Sequence, residues 1–367
     1  MLKFLSVFFI FFAAITQVNA EKKADTTLTQ TCECPSQKHT HKKPHKKKHH
    51  HHKKKKSLLG WQPHTPRVVV TIKPIHSLVA GVMEGIGEPE LLIQDNSSPH
   101  VHAIKPSEAD TLEKAEVIVW VGAIYETGLQ YRLKDLEDSK TIIELQHAKD
   151  VILYPVREGG FWGSSSCCNS CESGPEAEEN SPCNCHPHTE GHHHEPLSKD
   201  GHIWLAPNNA KAIVTQVAEE LAALDPQHAP DYLANSKKVI SSLNDLAREI
   251  TYVVNPVKTK PYMMVHDFSQ YFDRYFGTNG VGTIIDISHA EPTPKYLRTV
   301  QEKLNSGSAK CLLVEPQFNL KVTQMLIDDT GVATQQVDYL GGDLTAGPDC
   351  YFEIMRRFAN SLVNCLG

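Results

Sequence analysis

This sequence predicts an α/β protein of two Rossmann-like lobes, each with a mostly parallel sheet, joined by one long rigid helix. Three observations predict it. Apolar, β-branched runs alternate with helical stretches before and after a central segment, the pattern of strands covered on both faces. Residues 229–255 place Tyr232, Leu233, Val239, Ile240, Leu243, Leu246, Ile250 and Val253 at helical spacing with no Pro or Gly in the interior. The chain of 367 residues is long enough for two domains plus tails.

Residues 1–20 hold Lys3, an apolar run over 4–15 and a small-x-small site ending at Ala20. A run of about twelve residues is too short for a span that needs about 20, so it is read as a signal peptide cleaved after Ala20 rather than an anchor. Residues 21–66 mix Lys with His39, His41, His45 and His49 to His52 and offer no periodic apolar residues to bury; a disordered tail that captures metal weakly is expected. The first lobe, 67–228, is expected to have strands at 68–72, 90–93, 117–121, 141–145 and 151–154, with helices at 77–83 and 107–114. Residues 159–199 break the pattern with Cys167, Cys168, Cys171, Cys183, Cys185, His186, His188, His192, His193, His194 and many Glu. Their spacing fits no zinc-finger frame, and a disordered loop for auxiliary metal capture is the expectation. A helix comes next at 210–224 with Asn208 as candidate cap, then the linking helix at 229–255. The second lobe, 256–367, is expected to carry strands at 262–265, 282–287, 311–314 and 333–337 and helices at 268–276 and 349–366.

Charge narrows the function. The net charge is −6, yet residues 21–66 carry twelve Lys against Glu21, Asp25 and Glu33. With Lys3 in the leader, the body from Arg67 onward stands at −16. An exported chain with so acidic a body is a poor nucleic-acid binder, and no other segment is apolar enough for stable membrane insertion. A basic tail suits an anionic surface. Ten cysteines in an exported chain permit disulfides.

His100, His202 and His266 each sit at a strand-to-helix junction, where ligands bind in open α/β sheets. Imidazole is a standard zinc ligand, and Zn²⁺ accepts three protein ligands plus water. These three are expected to converge on one tight Zn²⁺ site. His64, His76, His147, His228 and His289 are assigned to surface or satisfied core positions, and His102, two residues from His100, is a candidate helper in metal access.

The body resembles the solute-binding proteins of zinc ABC importers, the ZnuA family. The resemblance rests on Ile72-Lys73-Pro74-Ile75-His76-Ser77, Ser98-Pro99-His100 with Lys105-Pro106-Ser107, and Val119-Trp120-Val121-Gly122. It continues with His202-Ile203-Trp204-Leu205-Ala206-Pro207, Val265-His266-Asp267, Glu315-Pro316-Gln317-Phe318 and Asp338-Tyr339-Leu340-Gly341. It implies metal in the cleft between the lobes, with His100, His202 and His266 as ligands and water or Asp338 in fourth place. His rather than Glu at the third ligand suits Zn²⁺ over hard Mn²⁺. It also implies a Cys311–Cys365 disulfide, leaving Cys350 free or paired with loop thiols. The function implied is capture of Zn²⁺ in the periplasm by a monomer that passes it to a permease and its ATPase, closing on metal as it does so. A zinc hydrolase is the rival, since three His with an open position also make a catalytic site. No His-Glu-x-x-His pair is present, and Asp267 beside His266 suits orienting an imidazole better than catalysis. A metal-storage or adhesion protein is a third reading.

Overall fold

The computed structural model describes residues 64–94, 97–157, 160–162, 198–285, 292–318 and 321–367. The leader, the tail as far as residue 63, residues 163–197 with His186, His188, His192, His193 and His194, and His289 lie outside the described residues. Residues 64–66, assigned to the tail from composition, already touch the body: His64 Nε2 lies 2.8 Å from Glu116 Oε1.

The first lobe runs β1 (Val68–Val70), α1 (Lys73–Val82), β2 (Glu90–Leu91), α2 (Pro106–Lys114), β3 (Val117–Trp120), α3 (Gln130–Leu136) and β4 (Thr141–Glu144). Its strands pair in parallel in the order β2-β1-β3-β4. Val68 to Val70 and Val117 to Val119 are at most 1% exposed, as strands covered on both faces must be. Residues 151–154, expected as a further strand, make no ladder. Ile152 exchanges two 3.0 Å hydrogen bonds with the Asn209 side chain, and Tyr154 N–H donates to Tyr271 Oη, so tertiary partners override the β-branched composition.

Two helices come next, α4 (Pro207–Leu224) and α5 (Ala229–Val254). Ala206, not Asn208, stands at the α4 cap, and Pro207 opens the helix where a missing N–H is harmless. With 26 residues, α5 is about 39 Å long at 1.5 Å per residue. It lies so close to α1 that a Cβ on Gly81 would come within 2.8 Å of Val239 Cγ2, and Asn235 Nδ2 donates to the carbonyls of Val82 and Glu84.

The second lobe repeats the grammar: β5 (Pro261–Met264), α6 (Gln270–Phe276), β6 (Asn279–Thr283), α7 (Pro294–Asn305), β7 (Cys311–Val314), α8 (Lys321–Thr330), β8 (Ala333–Gln336) and α9 (Cys350–Leu366). The order is β6-β5-β7-β8, again parallel. Sequence pattern had not marked α3, α7 or α8. These are surface helices with narrow apolar stripes; α7 buries only Val300 and Leu304. One apolar core is continuous through both lobes, including Ile72, Trp204, Leu246, Phe268, Tyr339 and Phe358. A smaller cluster with Met263, Val265, Ile284 and Leu312 fills the other face of the second sheet. The Cys311–Cys365 disulfide ties β7 to α9, and Cys350 is a buried free thiol.

Candidate metal centre

Three chain segments bring one histidine each to the carboxyl ends of the two sheets. His266 lies two residues beyond β5, beside the point where the strand order reverses between β5 and β7. Glu315, the first residue after β7, accepts from the backbone N–H of Val265 and His266 at 3.2 and 3.3 Å and from His266 Nδ1 at 2.9 Å. His202 enters on a short ribbon: Asp200 N–H donates to Tyr154 O and Val156 N–H to Ser198 O, both at 3.0 Å. Asp200 Oδ1 then accepts from His202 N–H at 2.9 Å and Nδ1 at 2.8 Å. His100 sits on the 3₁₀ turn Pro99–Val101 beyond β2, its carbonyl taking the Thr127 hydroxyl at 2.8 Å. The turn after β3 approaches so tightly that a Cβ on Gly128 would lie 2.1 Å from the His102 carbonyl oxygen.

The three imidazoles converge. His202 Nε2 lies 3.3 Å from Nε2 of both His100 and His266, and one ligand atom from each residue falls within 4.8 Å of the others. Acid oxygens lie against Nδ1 of His202 and His266, which turns the Nε2 atom of each ring toward the other. Two lone pairs at that spacing repel unless a cation lies between them. A tetrahedron with Zn–N of about 2.0–2.1 Å has N···N edges of roughly 3.3–3.4 Å, which these pairs match.

The surroundings are dry and acidic. His202 and His266 are 3% exposed, whereas His100 is partly exposed. Tyr125 packs edge-on against His100 at 4.4 Å between ring centroids, Phe318 lies 4.8 Å from His266, and Tyr339 and Trp204 close the side of His202. Burial pushes the His266 pKa down to about 4, which keeps the ring neutral and able to ligate. Burial pushes the Asp200 carboxyl up to about 7 and Glu315 well above the ordinary carboxylate range. A dication held by the three rings would supply the positive charge that lets these buried acids ionise.

The other sequence candidates lie elsewhere. Asp338 does not join the group. Its Oδ1 accepts from Gln317 Nε2 and the N–H groups of Leu340 and Gly341 at 2.9–3.0 Å, and its Oδ2 from Gly342 N–H at 2.6 Å. Asp267 does not orient His266; Arg157 holds its carboxylate. His102 is buried against Glu108 at 2.7 Å, which also caps α2 through Lys105 N–H, so it serves the fold. His76 bonds the Pro89 carbonyl at 2.8 Å, with its pKa lowered by burial, and His228 bonds Asp225 at 2.7 Å. His147 lies on the surface beside Glu144 and Gln146. Sequence reasoning missed the roles of Asp200, Glu315 and Arg157. The available signal was a buried-strand end, 311–314, running straight into a glutamate.

The family described as zinc-uptake complex component A, periplasmic, matches residues 68–365. The high-affinity zinc uptake system protein ZnuA of Brucella abortus is 36% identical over 310 residues, covering 82% of this chain and 91% of that protein. The protein of the same description from Yersinia pestis is 28% identical over 82% of this chain and 91% of its own length. A crystal structure of ZnuA superposes with a TM-score of 0.65 at 20% identity, covering 83% of this chain and 100% of that one. The periplasmic zinc-binding protein TroA of Treponema pallidum gives 0.64 at 16% identity, over 83% and 100%. Matched from its first strand almost to its last residue, the chain belongs to the ZnuA family of periplasmic zinc-uptake components.

Proposed function

We propose that the protein is the extracytoplasmic solute-binding component of a zinc importer, capturing one Zn²⁺ tightly with His100, His202 and His266 and passing it to an ABC permease driven by its ATPase. The observation that carries this reading is that His202 Nε2 stands at a tetrahedral zinc edge length from Nε2 of both His100 and His266, with buried acids behind His202 and His266. Asp338 is consumed by its own turn, so water takes the fourth position. The relatives' description as zinc-uptake proteins points the same way. The protein works as a monomer in the periplasm once the leader is cleaved after Ala20. No described helix is long and apolar enough to cross a membrane. The Cys- and His-rich residues 163–197 and the Lys/His tail supply weaker sites that raise the local zinc concentration. A core continuous through both lobes favours small movements of the ligand-bearing loops over wide hinging. Turnover chemistry is disfavoured because Asp200, Glu315 and Asp267, the acids beside the ligands, are all engaged in holding other side chains.

Growth of a strain lacking the gene tests this. Growth should fail in chelator-treated medium and be restored by added zinc but not manganese. Rescue by manganese alone, or no defect when zinc is scarce, would remove the transport reading. Excising 163–197, which leaves the described anchors Phe161, Trp162 and Lys199 in place, should spare the tight site.

A further inference from the structure

Three acids of the second lobe lie in segments that carry His266 or that the family resemblance ties to the site, and each is engaged by a different partner. Glu315 takes Nδ1 of His266, and Asp338 is spent on its own turn. Asp267, the residue directly after the third ligand, is gripped by a guanidinium that arrives from the segment leaving the first lobe. Arg157 Nε donates to Asp267 Oδ2 at 2.8 Å while Nη2 donates to Oδ1. The same group reaches Asp273 Oδ2 through Nη1 at 3.0 Å and Ser269 Oγ through Nη2 at 3.2 Å. It lies 3.8 Å over the Trp162 ring. The Arg157 and Asp267 side chains are only 15% and 10% exposed.

We propose that Arg157 determines metal specificity by withholding Asp267 from the metal, so that the protein donors remain all imidazole. The proposal rests on the three-histidine zinc site. Imidazole suits Zn²⁺ and Co²⁺, whereas carboxylate oxygen favours harder Mn²⁺ and Mg²⁺. A guanidinium suits the task because its planar fork occupies both carboxylate oxygens and never loses its charge. Asp273 is not released with Asp267 when the clamp is removed, since Tyr262, Thr278 and Ser269 also donate to it.

The test is Arg157→Met, read by the visible absorption of the Co²⁺-loaded protein and by zinc–manganese competition. A freed Asp267 joining the metal should weaken the intense bands of a four-coordinate Co²⁺ site and reduce the preference for zinc by about ten-fold. Arg157→Met combined with Asp267→Asn should restore both. A folded Arg157→Met protein with the original spectrum and preference would overturn the proposal, as would a double variant that restores neither. If Arg157→Met does not fold, Arg157→Lys carries the same readings, because one ammonium leaves part of the carboxylate loose; an unaltered spectrum there also overturns it. His202→Ala, run in parallel, separates the two claims: tight Co²⁺ binding that persists in it defeats the three-histidine site rather than the role of Arg157.

Discussion

The two lobes use the same strand order, and each buries one glutamate where that order reverses, but the glutamates hold different things. Glu126 accepts from the N–H groups of Val121 and Gly122 just beyond β3 and from the Thr71 hydroxyl beyond β1. Glu315 accepts from Val265 and His266 N–H beyond β5 and from the His266 ring. Both residues are 0% exposed. In the first lobe the device props the backbone; in the second it also aims a ligand. The chemical difference lies just past the central strand, where β1 leads into a threonine hydroxyl and β5 into an imidazole. On the proposed reading, a metal would be anchored mainly by the second lobe and by the ribbon carrying His202, with His100 as a partly exposed third donor.

That asymmetry can be broken or sharpened by substitution. The largest effect should come from His266→Ala, which removes a buried ligand and strands Glu315; competitive titration should show a greater loss of zinc affinity than for His100→Ala, whose place water can reach. Equal losses would contradict the anchored-half view. Next, Glu315→Gln should lower zinc affinity by about 10–100-fold, the usual cost of losing a partner behind a ligand. Glu126→Gln should leave affinity near the original value, and a comparable loss there would erase the distinction between the lobes.

The smallest effect concerns pH. Burial raises the Glu126 pKa from 4.5 to about 7, against the opposing pull of its hydrogen bonds from Thr71, Gly122 and Val121. The folded protein thus holds this proton more tightly than the unfolded chain does. The stability it contributes is full below 4.5 and is lost as pH rises through about 7. Glu126→Gln keeps the neutral shape, so the fall in urea midpoint of the metal-free protein across that window should become shallower. An unaltered slope would mean that Glu126 is ionised throughout.

The convergence of His100, His202 and His266 and the alternating lobes were legible because each rests on local pattern: buried β-branched runs, and histidines where those runs end. The long helix was legible for the same reason, with α5 within one residue of its expected end. Asp267 was singled out by adjacency to His266 and Asp338 by the family resemblance, and neither signal shows where a carboxylate's oxygens point. Arg157 and a four-residue turn had already taken them. Asp200, Glu315 and Arg157 acquire their roles only when distant segments meet, Glu315 from a strand 49 positions beyond its histidine. Residues 151–154 read as a strand by composition, but Ile152 bonds the Asn209 side chain, and Tyr154 bonds Tyr271 and the Asp200 N–H, instead of a neighbouring strand of the sheet.

The most direct measurement is competitive zinc titration of the mature protein beside the combined His100→Ala, His202→Ala, His266→Ala variant. One tight site should vanish in the variant while weaker binding by the remaining histidines and cysteines persists. Tight binding that survives the three substitutions would place the principal site outside the convergence of imidazoles and contradict the account.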